Sequence, residues 1–169
     1  DPALYDTQEP LPIGYEETYI PVDKFIIGYA GSIGVTNALE PLLQCAEMMK
    51  DNPRIHFLLL GDGDLLGTYK ARVSGLTNIT FAPKVKKTQV QTFLRHCHLL
   101  YFSVHDSKVW HYGLSLNKLI DYMLAAKPII ASYSGYPSMV NEAQCGTFVP
   151  AKDVKALIKA INEYSTMPK

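Results

Sequence analysis

Six short apolar runs recur along the chain, each ended by small or turn-forming residues: Phe25–Ala30, Ile55–Leu60, Asn78–Phe81, Leu99–Val104, Pro128–Ser132 and Gly146–Pro150. Continuous rather than alternating hydrophobicity is the mark of strands buried on both faces. Between them, apolar residues fall at helical spacing. Leu39, Leu42, Leu43, Ala46 and Met49 form one such set, with Pro41 in the first turn, where its missing N–H costs little. The spacing predicts further helices from about Leu65 to Val73, between Lys87 and Cys97, over 116–126, from Met139 to Ala143 and from Val154 to Ser165. Strand–helix alternation of this kind predicts an α/β fold: a parallel sheet of about six strands with helices on both faces, joined by right-handed crossovers. Residues 1–22 carry Pro2, Pro10, Pro12 and Pro21 and no clear period, and read as a linker or edge segment, with one domain over 23–169.

In such sheets ligands sit beyond the carboxyl ends of the strands. The loops there are Gly31–Asn37, Gly61–Asp64, Ala82–Lys86, His105–Ser115 and Ser132–Tyr136, and the unusual residues of the chain gather in them. The first follows a strand and opens a helix, as in phosphate-cradling units, although it keeps only Gly31-x-x-Gly34 of the three-glycine dinucleotide pattern. The fourth packs His105, His111, Trp110 and several charges between two elements. Loops of that length and composition are more often functional than structural.

The helix over 116–126 draws most attention. At about 100° per residue, Leu116, Leu119, Ile120, Met123 and Leu124 share one side, and Asn117, Lys118 and Asp121 the other. Ser115 suits the N-cap. An amide and a cation thus stand at the positive end of a helix, a place that favours phosphate, with a carboxylate one turn on where a sugar hydroxyl needs an acceptor. An ordinary amphipathic helix with a wet face has the same pattern, and helix geometry by itself leaves both open.

Composition narrows the classes. Nearly half the residues are hydrophobic (47%) and the formal net charge is zero, without the basic excess of a nucleic-acid binder. No apolar run approaches the ~20 residues of a bilayer span. No signal-peptide pattern opens the chain. Cys45, Cys97 and Cys145 stand far apart in apolar surroundings and read as free thiols of a reduced, cytoplasmic compartment. His105 and His111 lack a third partner for a metal.

The ordered series Gly28-Tyr29-Ala30-Gly31-Ser32-Ile33-Gly34, Gly61-Asp62-Gly63, then Asn117-Lys118, Asp121 and Tyr122-Met123-Leu124-Ala125-Ala126-Lys127-Pro128 resembles the C-terminal, donor-binding half of retaining glycosyltransferases of the GT-B fold, family 4. The resemblance covers nearly all of the chain from Lys24 to Ser165, and is nearest to bacterial enzymes that build O-antigen or capsule sugars on a lipid carrier. It implies a Rossmann-like domain that binds a UDP-sugar, UDP-GalNAc or UDP-GlcNAc being the expected donors. It further implies retention at the anomeric carbon without metal or cofactor, and a lipid-linked glycan acceptor held by an N-terminal domain not contained in this chain. The whole enzyme would work in the cytoplasm, at the inner-membrane face through that other domain, and this chain alone would not transfer sugar. On the residues here, the resemblance makes Lys118 and Asp121 catalytic. It makes Gly31, Ser32, Gly34, Asn37, Lys84, Val85, His111, Tyr112, Gly113, Leu114, Ser115 and Asn117 further donor contacts, with the backbone of Lys84 and Val85 at the base edge.

Two departures from the family stand out. Of the two glutamates that many members carry with seven residues between them, Asp121 takes the second place on a shorter arm and Gly113 the first. The basic pair that usually follows the first strand is replaced by Ser32, Thr36 and Asn37, which leaves Lys118 as the evident cation for the diphosphate. Two other classes fit parts of the chain: a nicotinamide-dependent oxidoreductase domain, with Asp62 as the ribose-binding acid, and a nucleotide-binding module without catalysis. Against the first, Asp62 lies beyond the usual spacing of ~20 residues from the glycine turn.

Overall fold

A computed structural model describes residues 8–112, 117–135 and 139–167. Its six strands are β1 (Phe25–Ala30), β2 (Ile55–Leu60), β3 (Ile79–Ala82), β4 (Leu99–Ser103), β5 (Ile129–Ser132) and β6 (Gly146–Val149). They form one sheet in the order β3-β2-β1-β4-β5-β6, and every pairing is parallel. The predicted α/β architecture is therefore present, with each strand within two residues of its apolar run.

Alternate strand residues feed two cores. Ile27, Tyr29, Phe57, Leu59, Leu99, Tyr101 and Ile130 point to one face. There they meet Leu42 and Leu43 of helix α2 (Glu40–Met48), Tyr69 of α3 (Leu66–Arg72) and Leu157 and Ile161 of α7 (Val154–Thr166). Ile26, Leu58, Leu100, Phe102, Ile129 and Ala131 point to the other. They pack against Tyr15 of α1 (Tyr15–Tyr19), Phe93 and Leu94 of α4 (Val90–Arg95), Leu119 and Tyr122 of α5 (Asn117–Leu124) and Val140 of α6 (Met139–Glu142). Burying both faces removes the sheet from water, which is why the strands are apolar throughout.

Helix α1 lies in the segment where the sequence pattern predicts no element. Leu11 and Tyr15 are buried, and the Tyr15 hydroxyl donates to the Pro83 carbonyl at 2.6 Å. Around it, Glu9 N–H donates to Thr88 O (3.1 Å), Gln89 Nε2 to Pro10 O (2.7 Å) and Thr92 Oγ1 to Glu9 O (2.7 Å). Four prolines and several acids hid two apolar anchors, because a single helical turn is too short to show a period. The consequence for the site is that residues 9–15 brace the connection from β3 to α4.

Candidate functional site

The sheet order reverses direction between β1 and β4, the place where α/β sheets open a crevice. The two strands pair only at Ile27–Leu99 and Gly28–Leu100 and then part. Tyr122 of α5 fills the split: its hydroxyl accepts from Ala30 N–H at 2.9 Å and lies 3.1 Å from the Tyr101 carbonyl, to which it donates. Further out, Ser103 Oγ reaches the carbonyls of Asn37 (2.5 Å) and Ala38 (2.9 Å), and His105 N–H donates to Thr36 O. The loop after β1 is thus pinned to the end of β4.

Its other flank is held by the loop after β2. Ile33 N–H donates to Asp62 O (2.8 Å) and Leu65 N–H to Ile33 O (3.1 Å). The backbones approach so closely that a Cβ on Gly61 would stand 1.9 Å from Gly31 O, and one on Gly63 2.4 Å from Ile33 O; both have φ near +150° (152° and 154°). Only glycine fits such positions. The Gly-Asp-Gly sequence is therefore the means by which the loops after β1 and β2 lie against each other.

These loops bound a cleft of about 450 Å³ lined by Ala30, Gly31, Ser32, Leu60, Gly61, Asp62, Lys84, Val85, Lys87, Val90, Lys118 and Asp121. A larger hollow of about 480 Å³ lies at the opposite end of the sheet, among Lys24, Arg54, His96 and His98. The first is the better candidate site, because it sits at the strand carboxyl ends and at the switch point. Of the residues expected from sequence, Gly31, Ser32, Lys84, Val85, Lys118 and Asp121 converge on it. Asn37 joins them through a hydrogen bond from Lys118 Nζ to its Oδ1. Gly34 caps the 3-10 turn Val35–Asn37 away from the lining, and Asn117 is exposed. His111 and Tyr112 end the 3-10 turn Lys108–Tyr112 in solvent, Tyr112 with 91% of its surface exposed, and neither lines the cleft. That turn is tied inward instead by Trp110, whose Nε1 donates to His105 O (2.5 Å) and whose carbonyl accepts from the Tyr133 hydroxyl (3.0 Å). Gly113, Leu114, Ser115 and Leu116 lie outside the described residues.

The orientation of α5 corrects the sequence expectation. The side bearing Lys118 and Asp121 faces inward, with Asp121 only 8% exposed, while Ile120 and Leu124 stand 44% and 53% exposed. The helix is rolled so that Leu119 stays in the core while Lys118 and Asp121 also turn inward, because Tyr122, between them, is drawn into the β1–β4 split by the backbone groups that the parted strands leave there. A wet face and a cleft-lining face look alike in sequence, since both are polar.

Lys118 is correspondingly mostly enclosed. Its Nζ donates to Tyr29 Oη (3.2 Å) and to Asn37 Oδ1, and lies 4.8 Å from the centroid of the Tyr29 ring. Removal from water pulls its pKa down to about 8. No carboxylate is among these partners, so among the described residues a positive charge here is met by dipoles and a ring face. Nor is Lys118 the sole cation. Lys84 also lines the cleft, 3.5 Å from Asp62 at the exposed rim. Lys87 does too, its Nζ 2.6 Å from both carboxylate oxygens of Asp121. Sequence reasoning passed over Lys87, because it opens the next helical segment and shares no motif with Asp121; the spacing of 34 residues leaves no local signal.

The arrangement (a glycine-bounded loop pair, a mostly enclosed ammonium with no carboxylate among its partners, two rim lysines and an inward carboxylate) suits a ligand with a diphosphate joined to a hydroxylated ring. A family model for glycosyl transferases group 1 matches residues 24–166, most of the chain. The chain belongs to the glycosyl transferases group 1 family. Among solved structures it is similar to S. aureus TarM, crystallised with fondaparinux, α-GlcNAc-glycerol and UDP (TM-score 0.68, 14% identity), covering 86% of this chain and 29% of that one. It is similar to Anabaena HepE in complex with UDP (TM-score 0.62, 16% identity), covering 83% of this chain and 39% of that one. The C-terminal domain of the group 1 protein LpcC from Francisella tularensis matches over 94% of this chain and 85% of its own length (TM-score 0.70, 17% identity). No curated protein matches in sequence. The fold of this group 1 domain is that of the C-terminal half of GT-B glycosyltransferases, and the chain spans roughly a third of the TarM and HepE chains it matches. Among the described residues no helix is long and apolar enough to cross a membrane, and no three His, Cys, Asp or Glu residues converge as metal ligands do.

Proposed function

We propose that this chain is the donor-binding domain of a retaining glycosyltransferase, and that the donor is a UDP-sugar. The observation that carries the reading is Lys118: an ammonium mostly out of water, at the switch-point crevice, with no counter-charge among its partners. An enclosed cation without a carboxylate is costly unless an anion completes it. Here a leaving diphosphate would do so, with Gly31 and Ser32 at its backbone side. Developing negative charge on a leaving nucleotide is stabilised most by donors fixed beforehand in a dry site. Asp121 would accept from the ribose hydroxyls, and the backbone at Lys84 and Val85 would border the base. In this reading Lys118 meets the charge that a metal meets elsewhere, so no metal or cofactor is required. The complexes of TarM and HepE with UDP support the choice of base.

The finer reading rests on the sequence resemblance: an N-acetylhexosamine donor, UDP-GalNAc or UDP-GlcNAc, and a lipid-linked glycan acceptor in bacterial surface polysaccharide synthesis. The acceptor would be bound by a second domain, at the cytoplasmic face of the inner membrane. The family match weighs against the nicotinamide reading, and the Asp62–Lys84 pair occupies the acid it relied on. A thermal-shift series with UDP, GDP, UDP-sugars and NAD tests the proposal. Ligand at about a hundred times its Kd stabilises by about 2.7 kcal/mol, an unmistakable rise. UDP should give the largest shift; stabilisation by NAD with none by any nucleoside diphosphate would overturn the reading.

A further inference from the structure

The Asp121 carboxylate is an acceptor with about four lone-pair directions. Two of its contacts go to one atom, Lys87 Nζ, at 2.6 Å from each oxygen. The Asp121 side chain is almost covered (11% exposed), whereas that of Lys87 keeps 44% of its surface. The backbone around the pair is held as well: Gln91 Nε2 donates to Asp121 O at 2.9 Å, which ties α4 to α5. Lys87 itself opens the 3-10 turn Lys87–Gln89, which is closed by Lys86 N–H donating to Gln89 Oε1 (3.1 Å) and Gln89 N–H donating to Lys86 O (2.9 Å). Gln89 in turn is anchored on Pro10 O, and Thr88 O on Glu9 N–H. The ammonium is thus carried on a turn fixed at both ends, and it grips the carboxylate of a residue that lines the cleft.

We propose that Lys87 is a positioning residue for the ribose of the donor: by bridging both oxygens of Asp121 it fixes the carboxylate so that its outer lone pairs accept the 2′ and 3′ hydroxyls together. This rests on the donor reading above. A charge-assisted bridge to both oxygens removes the rotational freedom that a short aspartate arm otherwise keeps. Lys87 then contributes to discrimination between a ribonucleotide and one lacking those hydroxyls, separately from any general attraction for the diphosphate.

The two effects separate in a ratio. Titration calorimetry of the folded chain with UDP and with 2′,3′-dideoxy-UDP gives the preference for the hydroxyls, in which a uniform loss of phosphate attraction cancels. The unaltered chain should prefer UDP by about tenfold or more, the scale of hydrogen bonds to a charged acceptor. Lys87→Met should reduce that preference to about twofold, and Lys87→Arg should restore most of it. In the Asp121→Asn background, Lys87→Met should leave the ratio unmoved, since the positioned group is already gone. Lys87→Gln, uncharged but still a donor, replaces Lys87→Met should the latter fail to fold. A ratio unchanged by Lys87→Met or Lys87→Gln, or one lowered equally in the Asp121→Asn background, overturns the inference while leaving the donor site intact. Failure of the unaltered chain to bind UDP at all overturns the donor reading, and this inference with it.

Discussion

Replacing Lys118 by methionine should make the ligand-free domain more stable at neutral pH while it loses its ligand. The side chain keeps its length and apolar stem and sheds only the ammonium. Lys118 has its pKa lowered from 10.5 to about 8 by burial. The charged form is therefore disfavoured in the folded state by roughly 3 kcal/mol at pH 7. Against this stand two hydrogen bonds, to Tyr29 Oη and Asn37 Oδ1, worth about 1 kcal/mol each. The net expectation is a gain of about 1 kcal/mol for Lys118→Met at pH 7.

The pH dependence carries the sign. Between pH 8 and 10.5 the unfolded lysine holds a proton that the folded one has released, so the stability of the unaltered domain rises with pH across that window. At pH 9.5 about 2 kcal/mol of the burden is relieved, and the ordering reverses: the variant becomes slightly the less stable. Urea unfolding of both proteins at pH 7.0 and 9.5 measures this, and the difference between them cancels the other groups that titrate. UDP affinity should fall by about 10- to 100-fold in the variant, the range for a lost charged hydrogen bond. In the unaltered domain it should weaken above pH 8 as the ammonium deprotonates. A variant less stable than its parent at pH 7, by a margin that does not change with pH, would refute the reasoning that Lys118 is an unpaired enclosed charge.

Three other perturbations probe what builds the cleft. Tyr122→Phe removes the group that satisfies Ala30 N–H and the Tyr101 carbonyl where β1 and β4 part, and should cost about 1–3 kcal/mol in urea unfolding. A cost below half a kcal/mol would mean that water replaces the hydroxyl there. Gly61→Ala puts a methyl 1.9 Å from Gly31 O, so the loops after β1 and β2 must separate. Its UDP-induced thermal shift should shrink or vanish together with a lower Tm, and a normal shift at a normal Tm would show that the two loops do not need their close approach. The chain alone should transfer no sugar to a lipid-linked acceptor, even where it binds donor, because the second substrate must be held within reach and water excluded. Radiolabelled donor incubated with acceptor and this chain, beside the same chain joined to an acceptor-binding domain of the kind proposed above, checks it, and equal turnover in both would place the whole apparatus within these residues.

The sequence by itself determined the layers and the end of the sheet that matters. Continuous apolar runs such as Ile55–Leu60 exist only where both faces are covered, and glycines such as Gly61 and Gly63 mark backbones that touch, so the strands, every helix but α1 and the loops at the strand carboxyl ends were legible from spacing alone. The family resemblance was legible for the same reason, since Asn117-Lys118, Asp121 and Tyr122 keep their spacing within one element. Only tertiary structure decided which way that helix turns. Its polar side serves the cleft instead of solvent because Tyr122 answers backbone groups on two strands that are 92 and 21 residues away. Only tertiary structure joined Lys87 to Asp121 across 34 residues, and only it turned Leu11 and Tyr15 from a proline-rich lead into a brace for that lysine. Periodicity reports what a residue shares with its neighbours in the chain; the partners that set these charges are brought together by the crossovers, and no local pattern records them.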